Sequence, residues 1–282
     1  MIHLGTSGFK YDEWKGNFYP PNLAEKEWLA FYARHFNALE INSTYYKLMH
    51  PATFYHMAQK VPEGFLFAVK AYRTLTHEID QGGEGDLSAF LNSIGPLREA
   101  GKLGCLIAQF PNSFRSSPRS LSHLADLRQG CADLPLAIEF RHKGWASQET
   151  FEFLRGQGLA FVCVDEPQFP SLMPPVAVAT ANFAYLRFHG RNYQTWWKSG
   201  EEKLRYDYLY PREELMEWLP KIERLHGQTH RLFIFMNNHF GGKAVTNAGM
   251  LKEMLKDQMA PIPLPPPGAL PAQPVLPIDP RS

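Results

Sequence analysis

The chain has 282 residues, 44% hydrophobic and 20% charged, a globular composition long enough to bury the core of one large α/β domain. A formal net charge of +1 argues against a generic polyanion binder, although a local basic cleft can sit inside a neutral total. Cys105, Cys131 and Cys163 show no CxxC spacing, and two of them lie in apolar runs, which argues against zinc or disulfide frameworks and for a reducing compartment.

Met1 leads directly into Ile2-His3-Leu4-Gly5, without the charged and apolar regions of a leader. No run approaches the ~20 apolar residues of a membrane span. A cytoplasmic protein without a membrane partner is therefore expected.

From there the chain alternates. Short apolar runs at Ile2–Gly5, Ala38–Ile41, Leu66–Val69, Leu103–Ala108, Leu136–Phe140, Leu159–Val164, Ala184–Phe188 and Leu232–Met236 read as strands buried on both faces, as parallel sheets require. Helical stripes fall between most of them. Leu29, Tyr32, Ala33 and Phe36 share one face, and Leu87, Phe90, Leu91, Ile94 and Leu97 another. Leu215, Trp218, Leu219, Ile222 and Leu225 form a third stripe, and Ala244, Ala248, Leu251 and Leu255 a fourth. Ser117-Pro118 and Ser147 signal helix starts. Eight strands alternating with helices predict a TIM-type (β/α)8 barrel in a single domain rather than an open doubly wound sheet. One βα unit is irregular, because the proline-rich stretch after strand six carries no clear helix. Residues 260–282 hold nine of the 23 prolines and almost no charge. The barrel is thus expected over 1–257, followed by an extended or disordered tail over 258–282, either passive or a docking motif.

In such a barrel the active site lies at the C-terminal ends of the strands, and here those ends are polar. They bring Thr6-Ser7, Glu40 and Asn42, Lys70 with Arg73 beyond it, Gln109, Glu139 and Arg141, Asp165, Arg187, His189 and Arg191, and Asn237-Asn238-His239. Apolar runs that all end in charges or amides are costly unless those groups pair or meet solvent at one mouth. Two features point to anions. Gly241-Gly242 before a helix near Lys243 would turn backbone N–H groups towards a ligand, and Arg187, His189 and Arg191 end the neighbouring strand. A tight turn is the plainer reading of the glycine pair.

Glu40, Glu139 and Asp165 are candidate general bases or metal ligands, His189 and His239 candidate proton carriers, and Lys70 a stabiliser of developing negative charge. Asn42, Arg73, Gln109, Arg141, Asn237 and Asn238 complete the expected anion site. No compact metal motif such as HExxH is present, so a divalent cation stays a possibility and no cofactor is assigned. Gly5-Thr6-Ser7-Gly8 is not a nucleophile elbow, since Phe9 takes the last position. The long segment from Gly190 to Tyr210 carries Trp196, Trp197, Tyr206, Tyr208 and Tyr210, as either a stacking lid or an anchor.

These residues carry a family resemblance. Gly5-Thr6-Ser7-Gly8, Trp14-Lys15-Gly16, Phe18-Tyr19-Pro20, Glu40-Ile41-Asn42-Ser43-Thr44, Lys70, Arg73, Thr76-His77 and Gln109-Phe110-Pro111 appear in order. They are followed by Glu139-Phe140-Arg141-His142, Trp145, Asp165, Arg187-Phe188-His189-Gly190, Asn237-Asn238-His239 and Asn247-Ala248. Over about residues 1–256 the chain resembles the YecE-like family, domain of unknown function 72. Phe9 stands where the family usually has tryptophan, and Lys47 and Met49 replace an arginine and a proline. The resemblance implies a TIM-barrel-like fold and supplies no activity.

Three functions follow from the residues. The first is an enzyme acting by acid–base chemistry on an anionic, phosphorylated small molecule or nucleotide, as a hydrolase or an isomerase/lyase. The second is a divalent-metal phosphodiesterase or nuclease with a nucleic-acid partner. The third is a non-catalytic metabolite sensor or scaffold. Sequence leaves the oligomeric state open.

Overall fold

The computed structural model describes residues 1–82, 85–198 and 202–259. The proline-rich segment from residue 260 onward, with its docking reading, lies outside them. Eight parallel strands form one sheet in the order β1-β8-β7-β6-β5-β4-β3-β2. They are β1 (Ile2–Thr6), β2 (Ala38–Ile41), β3 (Leu66–Lys70), β4 (Leu103–Gln109), β5 (Leu136–Glu139), β6 (Ala160–Asp165), β7 (Phe183–Phe188) and β8 (Arg231–Met236). Each is buried on both faces over nearly its whole length. This matches the expected (β/α)8 barrel.

The barrel closes between β1 and β2 by an unusual seam. Only one bridge, Ser7 to Glu40, joins them, with the Gly8 N–H donating to the Glu40 carbonyl (2.8 Å). Side chains replace the rest of the ladder. The Tyr32 hydroxyl accepts from Thr6 N–H (2.8 Å) and donates to the Ala38 carbonyl (3.1 Å). The Asn37 amide accepts from Leu4 N–H (2.7 Å) and donates to the Ile2 carbonyl (3.2 Å). Buried backbone groups must be paired somewhere, and here two side chains do it. Gly5 permits the approach, because a Cβ there would stand 2.0 Å from the Ala38 oxygen.

The helices are α1 (Trp28–Tyr32), α2 (Ser43–Tyr46), α3 (Pro51–Lys60), α4 (Asp86–Glu99), α5 (Pro118–Gly130), α6 (Gln148–Gln157), α7 (Arg212–Met216), α8 (Leu219–Gln228) and α9 (Lys243–Leu255). Ser117 and Ser147 cap α5 and α6, accepting from Ser120 N–H (3.1 Å) and Thr150 N–H (3.3 Å). The stripe through Leu215 and Leu225 is split rather than continuous. Pro220 follows Met216 by four residues, and a proline ring clashes with that carbonyl in an unbroken helix. Between β6 and β7 the described chain holds no helix, as expected. Among the described residues no helix is long and apolar enough to cross a membrane.

Candidate active site at the barrel mouth

In a strand, alternate residues share a face, and one phase of each strand points into the barrel. The pairings Glu40–Ala68, Lys70–Ile107, Gln109–Glu139 and Val164–Arg187 fix that phase around the sheet. The inward set at the C-terminal ends is Glu40, Lys70, Gln109, Glu139, Arg141, Glu166, Tyr185, Arg187, His189 and Asn237. Glu40, Glu139, Arg141, Glu166, Tyr185, Arg187, His189 and Asn237 form one connected cluster, and Lys70 with Gln109 forms a separate pair beside it.

Arg187 is the centre. It is buried, and it ion-pairs with Glu40 (2.6 Å) and Glu139 (2.6 Å), with a long contact to Ser7 Oγ (3.5 Å). Glu40 also accepts from the Tyr185 hydroxyl (2.5 Å) and the Asn42 amide (2.9 Å). Glu139 takes a second cation, Arg141 (2.9 Å), which in turn holds Glu166 (2.9 Å). Burial alone would raise the Glu139 carboxyl, but Arg187 and Arg141 outweigh it and hold Glu139 well below its ordinary range. Glu166 goes the other way. Its burial exceeds what Arg141 returns, and it is pushed up to about 7.

His189 is neutral by construction. Burial, then Arg141, lowers its pKa to about 3. Asn237 Nδ2 donates to its Nδ1 (2.9 Å), which puts the ring proton on Nε2, 3.2 Å from Glu139. Lys70 stands on the open side. Its ammonium donates to Gln109 Oε1 (2.9 Å) and lies 4.5 Å from the centre of the Tyr45 ring. Burial, reinforced by Arg187 and Arg141 and opposed by Glu139, lowers it to about 7.

Several expected members are elsewhere. Asp165 is adjacent to the inward Val164 and so points outward. It accepts from Tyr210 (2.6 Å), Trp218 Nε1 (2.7 Å) and both edges of Arg191 (2.7 and 3.0 Å), and Arg191 also reaches Glu217 (2.8 Å). This pair pins the segment after β7 to the junction between α7 and α8, at Glu217 and Trp218, and takes no part in the mouth. Asn238 also points outward, donating to the Tyr208 carbonyl (2.7 Å) and to Asn247 (2.8 Å). Arg73 is exposed and pairs with Glu78 (3.1 Å). Gly241 and Gly242 do adopt left-handed backbone. However, the Gly241 N–H donates to the Glu13 carboxylate (3.2 Å), so the protein's own anion occupies that turn. The phosphate cradle expected from Arg187, Arg191 and the glycine pair is therefore not assembled.

His239 lies at the rim, its ring stacked on Tyr11 (4.6 Å) and 5.5 Å from Tyr206. Tyr206 is also 6.3 Å from the His189 ring and so covers the mouth, while Tyr208 and Tyr210 anchor the segment through Glu214 and Asp165. The aromatic segment is thus anchor and cover at once. Beside the mouth a cleft of about 880 Å³ runs out between α3 and the turn before α1. Glu40, Asn42, Gly8 and Tyr11 form its inner end, and Phe9, Leu29, Met49 and Met57 form apolar walls. This is within the size range of small-molecule sites. Lys70 lies one residue past the Ile41–Val69 pair, as Asn42 does on β2, so the cleft ends against the mouth rather than containing it.

Glu166 and Tyr185 are the members that sequence reading missed. Both follow from the two-residue alternation once the phase of β6 and β7 is known.

The fold and its ring of polar strand ends define a TIM-type barrel protein with a charged mouth. The chain belongs to the family described as "Protein of unknown function DUF72", whose model matches residues 3–272. It is 31% identical to the UPF0759 protein YunF of Bacillus subtilis, over 90% of this chain and 95% of that protein. It is 28% identical to YecE of Escherichia coli, over 97% of this chain and 98% of the relative. A DUF72 family protein from Thermotoga maritima superimposes with a TM-score of 0.84 at 39% identity, covering 91% of this chain and 99% of that one. One from Enterococcus faecalis gives 0.81 at 27%, covering 91% and 96%.

Proposed function

We propose that this protein is an enzyme that acts at the barrel mouth on an anionic small molecule, bearing phosphate or carboxylate, by acid–base chemistry of the hydrolase or isomerase/lyase kind. The observation that carries this reading is the division of charge. The inward carboxylates Glu40, Glu139 and Glu166 are all bound by Arg187 and Arg141. The groups left facing the opening are cationic or neutral: Lys70, the Nη2 edge of Arg141, Gln109 and Asn42. No hydrogen bond reaches Arg141 Nη2 from the described residues, and a guanidinium edge suits a planar oxyanion. Arg141 thus orients the anion, Glu139 and Glu166 hold Arg141 rigid, and Arg187 keeps Glu139 ionised. Lys70, poised near neutrality, accepts or returns the proton at the reacting carbon or oxygen.

A divalent-metal phosphodiesterase fits less well. The carboxylates that would ligate a cation are already paired with arginines. Among the described residues no three His, Cys, Asp or Glu side chains converge to hold a metal ion.

The test is incubation of the protein with a polar metabolite extract, followed by untargeted mass spectrometry. An anion consumed by the wild type and spared by folded Lys70→Met is the expected result. Binding of an anion with no turnover would replace the enzyme by a sensor.

A further inference from the structure

Resting on that reading, we infer that Lys70 is a nucleophile that forms an imine with a carbonyl-bearing acid, an aldehydo or keto acid, whose carboxylate is held by Arg141. The inference begins from partner choice. The mouth holds three inward carboxylates and three inward cationic side chains, and every carboxylate is given to a guanidinium. A structural ammonium with three carboxylates in the same mouth would be expected to take one of them, because an unpaired buried charge is costly. Lys70 instead receives one neutral acceptor, Gln109 Oε1, and the face of Tyr45. Gln109 is itself fixed, its Nε2 donating to the Phe110 carbonyl (2.9 Å). An amide oxygen accepts from an amine as well as from an ammonium, so this pocket tolerates the neutral form.

Position agrees with the chemistry. Lys70 is the last residue of β3, half-buried, beside the end of β2 where the cleft meets the mouth. The backbone around it is tied down, since the Thr44 hydroxyl donates to the Lys70 carbonyl (2.6 Å). Burial and the two arginines lower the amine to about 7, so a substantial share is unprotonated at neutral pH.

The covalent step balances without any oxidant or reductant. The Lys70 lone pair adds to the carbonyl carbon, the carbonyl oxygen takes up protons and leaves as water, and a carbon–nitrogen double bond remains. In the protonated imine a bond at the neighbouring carbon can break, its electron pair moving into the nitrogen to give an enamine. Reprotonation at carbon and addition of water return the amine and release the product. Arg141 fixes the carboxylate so that the carbonyl faces Lys70.

The test uses the full-length protein, glyoxylate as the carbonyl acid and cyanoborohydride to reduce any imine at pH 7, with peptide mapping of the resulting carboxymethyl-lysine. Lys70 should be modified about tenfold or more faster than the exposed Lys47 and Lys256, which lie outside the mouth. Oxalate, which carries the carboxylate but no electrophilic carbonyl, should slow labelling at Lys70 and leave Lys47 and Lys256 unchanged. Folded Arg141→Lys should lose the preference for glyoxylate over neutral acetaldehyde. Labelling of Lys70 no faster than that of the surface lysines, in protein shown folded by circular dichroism, overturns the imine. If Lys70→Met nonetheless stops turnover in the extract experiment, the proton-transfer role stands and only the covalent step falls.

Discussion

Replacing Arg187 by methionine removes the one cation that touches both Glu40 and Glu139. The methionine occupies much of the same space, so the perturbation is chiefly electrostatic. Glu139 keeps Arg141, but among the described residues Glu40 is left with the Tyr185 hydroxyl and the Asn42 amide as its close side-chain donors. Breaking a buried ion pair by deleting one partner costs about 3–5 kcal/mol, because the other charge stays buried and uncompensated. For a domain of this size each kcal/mol moves Tm by roughly 2–4 °C, so a fall of about 6–20 °C at pH 7.5 is expected. Neutralising the stranded carboxylate is a second check. Adding Glu40→Gln should recover a large part of the loss at pH 7.5, because it removes the buried charge that Arg187→Met leaves uncompensated. Thermal unfolding followed by tryptophan fluorescence measures both. A fall below about 3 °C in Arg187→Met, or no recovery with Glu40→Gln, would show that the mouth is not the tight charge network described above.

Other expected outcomes follow from single contacts. Burial holds the folded-state pKa of His189 at about 3, below its unfolded value of 6.5. The stability this represents is present above pH 6.5 and is lost as pH falls, roughly 2–3 kcal/mol by pH 4.5. His189→Asn should flatten that part of the denaturant-measured profile, and an unchanged slope would remove His189 as its cause. Tyr32→Phe leaves the Thr6 N–H without its acceptor in the β1–β2 seam and should cost about 1–3 kcal/mol. Urea unfolding that matches the wild type would mean that the seam is not held by this hydroxyl. Asp165→Ala strands Arg191, Tyr210 and Trp218 outside the mouth. It should lower Tm by roughly 6–20 °C while leaving the rate of Lys70 labelling in the folded protein unchanged. A parallel loss of labelling at low temperature would tie Asp165 to the site after all.

The eight strands were legible because each is an apolar run buried on both faces, and their polar ends were legible because charges stop those runs. The same property hid the phase. In Ala160-Phe161-Val162-Cys163-Val164 every residue is apolar, so nothing local says whether Asp165 or Glu166 faces the barrel. The structure turns Asp165 out to Trp218 and Glu166 in to Arg141. Long-range partners were equally invisible. Gly241-Gly242 has the composition of an anion turn and does bind one, but the anion is Glu13 from the other end of the chain. Asn37 and Tyr32 carry no motif that marks them as substitutes for a missing β-ladder. Pro220 does carry a local signal, since its spacing from Met216 forbids one continuous helix there.

The proposed anion-binding mouth, built on Arg141 and Lys70, makes a direct demand on ligand preference. Calorimetric titration of wild type, Arg141→Lys and Lys70→Met with a panel of small carboxylates, phosphates and their neutral amides or alcohols would decide it. The expected result is binding of at least one carboxylate or phosphate, none of its neutral counterpart, and affinity about tenfold or more weaker in Arg141→Lys, because a lysine cannot hold Glu139 and Glu166 and still present a donor to the opening. Anion affinity equal in all three proteins, or a preference for the neutral analogues, would place the ligand site away from the barrel mouth.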